Sequence, residues 1–328
     1  MNIKRTIARY NKINHEFGLK TLTKIINAEA FNKKDEAIDY TKFILAEEFA
    51  DNIKKLDLDL RAWENITHQS QNKKIYWVFW WQGLDQMPDI VKVCYESQKE
   101  FAAKQSAELV LLTKDNYHKY VNIPPYIIQK VQKKAISLTH FSDILRVYLL
   151  EQYGGCWLDS TLFINTSVNA QSNNSEFWSF KISPDANQPV GTGTKITECK
   201  WAGFMMQCCF AHHPLFVYLK ECLSDYWAQH DVLINYFIMN LLIRIAYDKI
   251  EYVTMLINSV DYNNPHLYDL AELINRPFDE RIWSKITENT AFFKLTWKRI
   301  ALEMSEDELT FYGVMKRKYI SNSEIGDK

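Results

Sequence analysis

The order of apolar and polar positions predicts a helical start followed by alternating strands and helices. Residues 21–31 and 39–56 repeat apolar side chains every three to four positions, which is typical of helices packed on a core. The run KIYWVFWW, 74–81, is apolar on both faces and suits a central strand of a parallel sheet. A helix over 87–104 and a second buried run, 107–113, complete a strand–helix–strand unit.

The remaining pattern extends this alternation. A helical repeat over 139–153 ends at a Gly-Gly pair, and the apolar run GCWLDSTLFI, 155–164, is predicted as the next strand. Residues 183–198 are rich in Pro, Gly, Thr and Asn and predict a mobile loop beside a site. Shorter patterns predict strands in 176–182, 200–210 and 291–298, and helices in 213–227 and 233–247. An α/β fold with a parallel sheet follows, with a helical N-terminal subdomain at 1–66 and a main domain at 67–328 whose C-terminal part is mixed.

Composition narrows the functional classes. The chain has 328 residues, 47% hydrophobic and 24% charged, with a net charge of -1, so it has no overall positive field for nucleic acid. Its six cysteines lack the C-x-x-C pairs of a zinc site and are predicted to be free thiols in a reducing cytosol. The longest apolar stretch, 233–247, is interrupted by polar residues and is too short to span a bilayer. We therefore expect a cytoplasmic protein without a transmembrane span or a nucleic-acid partner.

The first 24 residues differ in charge from the rest of the chain. They contain six basic residues and a single acid, Glu16. A basic amphipathic helix of this kind can contact an anionic membrane, here the inner membrane face. A solvated basic helix packed on the domain explains the same pattern, so both interpretations stay open.

The stretch FSDILRVYLLEQYGGCWLDS carries the most informative charges. Asp143 and Arg146 are three residues apart and share one face of the predicted helix. Gly154 is predicted to take the left-handed conformation that ends helices, and Gly155 allows the turn into the strand. Asp159 then lies at the carboxyl end of that strand, where ligands bind in open α/β sheets. An ordinary ion pair and an N-capping turn are the alternatives, although an unpaired acid among apolar neighbours favours a cation or a ligand hydroxyl.

Several motifs in a fixed order carry a resemblance to a known family. They are YWVFWWQG followed by MPDIVKVCYES, ISLTHFSDILRVYLLEQYGGCWLDST, WAGFMMQ, LINYFIMN and KLTWK, and they span residues 74–300. With these motifs the chain resembles the capsular polysaccharide synthesis proteins, which are related to glycosyltransferase family 32 and more distantly to the large glucosylating bacterial toxins. The resemblance implies a GT-A nucleotide-sugar transferase fold and the use of a UDP-sugar.

The resemblance also implies a donor site. The turn after the first strand would hold the uridine, the helix would present its acid and arginine to the donor sugar, and the acid after Gly-Gly would begin an Asp-x-Asp motif that contacts the ribose and a divalent cation. The implied catalytic residues are Asp143, Arg146 and Asp159. Donor binding is implied for Trp81, Gln82, Gly83, Asp143, Arg146, Asp159, Ser160 and Lys294, and binding of Mn²⁺ or Mg²⁺ for Asp159 and Thr161.

The chain departs from the family pattern at two positions. Thr161 stands where the second acid of Asp-x-Asp is expected, and a hydroxyl is a weaker ligand than a carboxylate for a hard cation. Phe293 precedes KLTWK where related enzymes often have a histidine at the diphosphate or the metal. Lys294 and Lys298 are the candidate cationic groups for stabilising the leaving diphosphate.

The expected reaction is the retaining transfer of a hexose from a UDP-sugar to a saccharide acceptor in capsular or surface polysaccharide synthesis. Retention is implied by the resemblance, and a front-face displacement is favoured because no glutamate stands out as a covalent nucleophile. The acceptor is expected to be linked to a polyprenyl diphosphate, and residues 190–194 are expected to act as a lid. Two alternatives stay open. One is a different enzyme class, such as a nucleotide-sugar hydrolase or a protein glycosyltransferase of toxin type, and the other is a catalytically inactive module that binds nucleotide-sugars.

Four other positions are weaker candidates. Asn235 and Tyr236 are potential hydrogen-bond partners of donor or acceptor. Trp201 is either a platform for a sugar ring or a core residue. His140 either serves Asp143 or only closes the start of the helix.

Overall fold

The computed structural model describes residues 3–31, 34–68, 74–167, 175–186 and 191–321. Three helices form the N-terminal region: α1 (Ile3–Ala30), α2 (Lys34–Glu48) and α3 (Ala50–Glu64). Gly18 interrupts α1 with φ of 79° and ψ of 165°, and the chain folds back there so that Arg9 pairs with Glu29 at 3.0 Å. The basic segment before Gly18 therefore packs partly against the half of α1 that follows Gly18.

The described strands form a five-stranded central sheet and two short pairs. They are β1 (Ile75–Phe79), β2 (Glu108–Leu112), β3 (Gly155–Leu158), β4 (Leu162–Ile164), β5 (Trp178–Ser179), β6 (Met205–Cys208), β7 (Phe292–Lys294), β8 (Met304–Ser305) and β9 (Glu308–Leu309). The central sheet has the order β2-β1-β3-β6-β5; β1 is parallel to β2 and β3, whereas β6 is antiparallel to β3 and β5. The predicted α/β class is confirmed, but the sheet is mixed, not purely parallel.

Helices form the crossovers between the parallel strands and also occur in the C-terminal part. Beyond α3 they are α4 (Asp89–Lys104), α5 (Pro125–Gln132), α6 (Leu138–Tyr153), α7 (Thr192–Thr197), α8 (Pro214–Gln229), α9 (Ile238–Lys249), α10 (Glu251–Asn258), α11 (Asp269–Leu273), α12 (Glu280–Thr287) and α13 (Phe311–Lys316). α4 connects β1 to β2, and α5 and α6 connect β2 to β3, as crossovers between parallel strands require. Within the described ranges, no helix is both long enough and apolar enough to cross a membrane.

The apolar run 155–164 forms two strands, so the prediction of one strand is wrong. β3 ends at Leu158, and a turn follows in which the N–H of Leu162 donates to the carbonyl of Asp159 at 3.0 Å. β4 then pairs with β7 in a separate two-stranded sheet. Periodicity does not reveal this turn, because apolar side chains continue on both sides of it.

Residues 183–198, predicted as a mobile loop, contain the short helix α7. Lys195 on α7 pairs with Asp35 of α2 at 2.6 Å. This ion pair joins the segment to the N-terminal helices. The lid predicted for 190–194 begins outside the described residues and stays a prediction.

The helix predicted over 233–247 begins later than expected, at Ile238. Asn235 Oδ1 accepts a hydrogen bond from the N–H of Phe237 at 2.8 Å, and its carbonyl accepts from the N–H of Ile238 at 3.2 Å. A short polar side chain that bonds to its own backbone in this way competes with helix formation. Asn235 is thus a turn residue that precedes the helix.

One apolar core continues from the N-terminal helices into the sheet. Ile13, Leu45 and Leu56 belong to the same buried cluster as Trp77 and Trp157. The first three lie on α1, α2 and α3, and the tryptophans lie on β1 and β3. The division into a helical subdomain and a main domain stays a prediction. In the structure, the secondary structure changes at this boundary, but the apolar core continues across it.

Candidate active site

Two consecutive glycines connect α6 to β3. Gly154 has φ of 63° and ψ of -144°, and Gly155 has φ of 85°. This ψ lies outside the left-handed helical region, so the predicted left-handed cap at Gly154 is wrong; glycine alone visits this backbone region readily. A Cβ at Gly155 would lie 2.5 Å from the carbonyl oxygen of Ile75. Glycine is therefore required where the chain turns into β3.

The parallel strands bring the residues that follow them to one edge of the sheet. Trp77 of β1 is the register partner of Trp157 of β3, so Asp159 lies level with Phe79, two residues further along both strands. α6 precedes β3 and runs in the opposite direction. Its first turns, which carry the predicted acid and arginine, therefore lie at the same edge as Asp159.

Asp159 is the centre of a cluster of charges. Its Oδ1 accepts hydrogen bonds from Arg146 Nη2 at 3.1 Å and from the indole N–H of Trp157 at 3.0 Å, and its Oδ2 accepts from Lys294 Nζ at 2.7 Å. Burial raises the pKa of the Asp159 carboxyl, but the charges of Lys294 and Arg146 outweigh burial and hold the pKa below its usual 3.8. Asp159 is therefore ionised at neutral pH.

Arg146 lies buried beneath the two acids of the cluster. Its side chain is only 4% exposed; Nη1 is 3.2 Å from Asp143 Oδ1 and also donates to the carbonyl of Gly203. The guanidinium carbon lies 4.9 Å from the ring centroid of Trp157, in cation–π contact. A guanidinium so enclosed has little surface left for a ligand. Arg146 therefore orients the more exposed carboxylates of Asp143 and Asp159.

Lys294 enters the cluster from the small sheet. The register of β4 with β7 places Lys294 opposite Leu162, and Nζ donates to both Asp159 Oδ2 and Thr161 Oγ1, the latter at 2.8 Å. The preceding residue, Phe293, points to the other face of β7 and is fully buried in a second apolar cluster. The position where related enzymes often have a histidine thus cannot provide a ligand to this site.

The predicted divalent-cation ligands do not form a free cation site in this structure. Asp159 and Thr161 both accept hydrogen bonds from the ammonium group of Lys294. The other carboxylate oxygen of Asp159 is occupied by two N–H donors. Across the described ranges, no group of three His, Cys, Asp or Glu side chains is arranged to hold a metal. The donor set therefore fits an ammonium group better than Mn²⁺ or Mg²⁺.

The turn predicted to hold uridine follows β1, the strand next to β3. Trp81 is half-buried, with its ring stacked on that of Tyr117 at a centroid distance of 6.2 Å. Gln82 is exposed, and Gly83 has φ of 84°, which favours glycine at this turn. The main-chain carbonyl of Trp81 accepts from the N–H of Lys114 at 3.0 Å, so the turn is fixed to the segment after β2. An aromatic ring and an exposed amide therefore lie beside the charged cluster.

Comparison with known proteins shows which family the chain belongs to. Residues 21–315 match the sequence profile of a family described as capsular polysaccharide synthesis protein. The chain belongs to this family. The match begins well before the motifs at 74–300, so part of the helical N-terminal region shares the pattern of the capsular polysaccharide synthesis proteins as well.

Comparison with solved structures gives a more distant likeness. A crystal structure of a glycosyltransferase involved in the glycosylation of the major capsid of PBCV-1 is 8% identical in sequence, with 75% of this chain and 98% of that chain covered, at a TM-score of 0.27. No curated protein matches the chain.

Three residues that build the site were not among the predicted ones. Gln98 of α4 donates through Nε2 to the carbonyls of Asp159 at 2.9 Å and Leu162 at 2.7 Å, and so fixes the turn that carries Asp159. Trp157 and Gly203 provide the indole and carbonyl contacts described above. Gln98 is fully buried on the apolar face of α4, and this polar residue in an apolar stripe is a signal in the sequence. Trp157 and Gly203 carry no such signal in the sequence.

Two of the weaker candidates lie in different places, one in the core and the other at the rim of the charged cluster. Trp201 is buried, and its indole N–H donates to Asn240 Oδ1 at 3.0 Å, so Trp201 is a core residue. Tyr236 is 52% exposed; burial of its hydroxyl raises its pKa, and the charges of Asp143 and Asp159 raise the pKa further. Tyr236 therefore lies at the rim of the charged cluster, within electrostatic reach of both acids.

His140 lies next to Asp143 in the core without a hydrogen bond to it. It is 1% exposed, and its Nε2 lies 2.9 Å from the indole N–H of Trp227. An indole nitrogen is only a donor, so Nε2 accepts and the proton of the neutral ring lies on Nδ1. Nδ1 is 3.6 Å from Asp143 Oδ2, longer than a hydrogen bond. The proton of His140 thus faces the carboxylate of Asp143 across a short gap.

A separate basic cavity is a rival location for an anionic ligand. It has a volume of about 540 Å³, and its lining includes Lys181, Lys195 and Lys200. Lys181 donates to two main-chain carbonyls, Lys195 pairs with Asp35, and Lys200 pairs with Glu198. The Asp159 cluster remains the better candidate, because it adjoins the aromatic turn after β1 that the resemblance assigns to the uridine.

Proposed function

We propose that the protein is a retaining glycosyltransferase that moves a hexose from a UDP-sugar to a lipid-linked saccharide during capsular polysaccharide synthesis. Family membership supports a role in this synthesis. The observation that carries the rest is the contact of Asp159 with Lys294 at the carboxyl edge of the sheet. Asp159 follows β3, which neighbours the strand that ends in the aromatic turn, and Lys294 reaches it from β7. This edge combines a surface for a nucleotide with paired charges for its diphosphate and sugar.

In this proposal the nucleotide lies across the ends of β1 and β3. The ring of Trp81 provides a flat face for the uracil, and Gln82 and Gly83 provide polar groups beside it. Asp159, ionised at neutral pH, accepts hydrogen bonds from ribose hydroxyls. Ser160 lies in the same turn and lines the donor site. Asp143, with an 18% exposed side chain, accepts from hydroxyls of the donor sugar.

The proposed chemistry is a front-face displacement. The bond between the anomeric carbon and the β-phosphate oxygen breaks, and its electron pair stays on UDP. The acceptor hydroxyl oxygen forms the new bond on the same face, and its proton passes to the departing phosphate oxygen. Negative charge grows on the diphosphate, and the ammonium group of Lys294 stabilises that charge in a partly enclosed site. The acids of the cluster stabilise the positive charge that develops on the sugar.

Exposed apolar side chains support a lipid-linked acceptor. Leu84 directly follows the uridine turn, Leu138 begins α6, and Trp297 follows Lys294 by three residues. These three side chains are 41%, 38% and 49% exposed. Apolar residues that border a polar site suit an acceptor that carries a hydrocarbon chain or lies at a membrane surface. The basic N-terminal helix is a second candidate for membrane contact.

Release of UDP from a panel of UDP-hexoses tests the proposed function. With lipid-linked saccharides as acceptors, the wild type should release UDP from at least one donor, and release should fall sharply without the acceptor. Asp159→Asn should lower the rate by about 100-fold or more, since the carboxylate organises both cations. Asp51→Asn is the matched control, because Asp51 is a fully exposed acid with only a surface ion pair. Full activity of Asp159→Asn, or no UDP release from any donor, would contradict the proposal.

A further inference from the structure

We infer that the ammonium group of Lys294 takes the place that a divalent cation takes in Asp-x-Asp transferases, so that this protein binds its donor and transfers the sugar without a metal ion. The inference rests on the proposed function, since it concerns how the same site holds a diphosphate. It departs from the cation expected on Asp159 and Thr161. Its basis is the position of one nitrogen atom between those two residues.

The partners of Lys294 are the two side chains that would otherwise bind the cation. Nζ lies 2.7 Å from Asp159 Oδ2 and 2.8 Å from Thr161 Oγ1. The ammonium group has three N–H donors, and these two contacts use two of them. The third is available for a phosphate oxygen. The Lys294 side chain is 20% exposed, so the group is held in place and still open to a ligand.

Threonine in place of the second acid suits an ammonium group better than a metal. A neutral hydroxyl accepts a hydrogen bond from Lys294 without adding charge, whereas it is a weak ligand for a hard divalent cation. The cluster is also balanced as it stands, since the carboxylates of Asp143 and Asp159 match Arg146 and Lys294. A dication bound to the same oxygen of Asp159 would lie against the ammonium group and be repelled by it.

Neighbouring residues fix Lys294 in this position. Its main-chain N–H donates to the carbonyl of Leu267 at 2.7 Å, and the next residue, Leu295, donates to the carbonyl of Thr161 at 2.9 Å. Its ammonium nitrogen is 4.7 Å from the ring centroid of Phe204. The lysine is therefore held by strand pairing, by hydrogen bonds and by an aromatic face.

Calorimetric titration of the full chain with UDP, in EDTA and in excess Mn²⁺, tests the inference. The expected result is a dissociation constant that differs less than twofold between the two conditions. A loss of affinity of tenfold or more in EDTA would overturn the inference while leaving the proposed function intact. Absence of UDP binding under both conditions would instead contradict the proposed function, and the inference with it.

Replacement of the lysine separates its charge from its packing. Lys294→Met keeps an unbranched side chain and removes the charge, and it should weaken UDP binding at least tenfold in EDTA. Lys285→Met, on the exposed face of α12, is the control and should bind UDP as the wild type does. Unchanged affinity in Lys294→Met would overturn the inference. Circular dichroism spectra of both variants check that the fold is kept.

A direct measurement of metal binding gives a readout independent of turnover. Free Mn²⁺ has a strong electron paramagnetic resonance signal that is lost on binding, so titration counts bound ions with and without UDP. The wild type should bind no Mn²⁺ at Asp159, whereas the double variant Thr161→Asp, Lys294→Ala should gain a site. Binding by the wild type that Asp159→Asn removes would overturn the inference. A double variant that binds no more Mn²⁺ than the wild type would also count against it.

Discussion

At the residue scale, the two oxygens of one carboxylate hold the charged cluster together. Asp159 Oδ1 accepts from Arg146 and Trp157, and Oδ2 accepts from Lys294. Because the cations outweigh the effect of burial, the pKa of Asp159 in the folded protein lies below the value of 3.8 that it has when unfolded. A carboxyl group of this kind stabilises the folded state above the unfolded pKa, and this stabilisation is lost as the pH falls through the folded pKa.

The first prediction concerns this pH dependence. At neutral pH the free energy of unfolding of Asp159→Asn should be lower than that of the wild type, by about 1–3 kcal/mol, since the amide cannot pair with both cations. The difference should shrink as the pH falls below 3.8, because the carboxyl of the unfolded wild type takes up a proton there and that of the folded protein follows at its lower pKa. Urea unfolding of both proteins across this pH range measures it. A difference that is constant with pH would show that Asp159 carries no lowered pKa.

The second prediction concerns Arg146, whose side chain is 4% exposed between two acids. Arg146→Met leaves Asp143 and Asp159 without their shared partner, and it should lower the free energy of unfolding by about 3–5 kcal/mol. Arg61→Met is the matched control, because Arg61 is 72% exposed in its pair with Asp57 and should cost at most about 1 kcal/mol. Urea unfolding at neutral pH compares them. Equal costs would mean that Arg146 does not act as a buried structural cation.

Residues close in the sequence were the predictable part of the site. The i,i+3 spacing of Asp143 and Arg146 and the Gly-Gly break before Asp159 follow from helix and turn geometry. Lys294 was predicted as a cation for the diphosphate, but its contact with Asp159 was not predictable, because that contact depends on strand pairing across more than a hundred residues. The carbonyl of Gly203 is invisible in a sequence, since every residue has one.

At the scale of elements, the joint between α6 and β3 determines where Asp159 lies. Its two glycines have positive φ, and Gly155 lies against the backbone of β1. The sequence predicted the break in the helix but not its geometry, because positive φ alone does not distinguish the left-handed helical region from its neighbours. Helices and buried strands were predictable from periodicity. The division of 155–164 into β3 and β4 was not, because the turn has apolar flanks.

The third prediction tests this joint. A methyl group at Gly155 would lie 2.5 Å from the carbonyl oxygen of Ile75 and would also force an alanine to a φ of 85°. Gly155→Ala should therefore lower the free energy of unfolding by more than about 2 kcal/mol. At Gly191, by contrast, the added methyl group meets no atom within 4 Å, and φ is extended, so Gly191→Ala should change stability by less than about 1 kcal/mol. Similar stabilities of the two variants in urea would contradict the requirement for glycine at Gly155.

At the scale of the whole molecule, one carboxylate joins the N-terminal helices to the part of the chain around the central sheet. Glu176 Oε1 accepts from Trp63 on α3 at 2.9 Å, from His213 at the start of α8 at 2.7 Å, and from Tyr252 on α10 at 2.6 Å. His213 Nδ1 accepts from the N–H of Leu215, so its proton lies on Nε2 and points to Glu176. This network and the shared core were not predictable, because long-range packing leaves no local pattern.

The most direct measurement is a crystal structure of the protein with UDP bound, grown in EDTA. It should show the uracil against Trp81, the ribose at Asp159 and a phosphate oxygen within hydrogen-bond distance of Lys294 Nζ. UDP bound in the cavity lined by Lys181 and Lys200, or no UDP at Asp159 at a saturating concentration, would contradict the assignment of this cluster as the donor site.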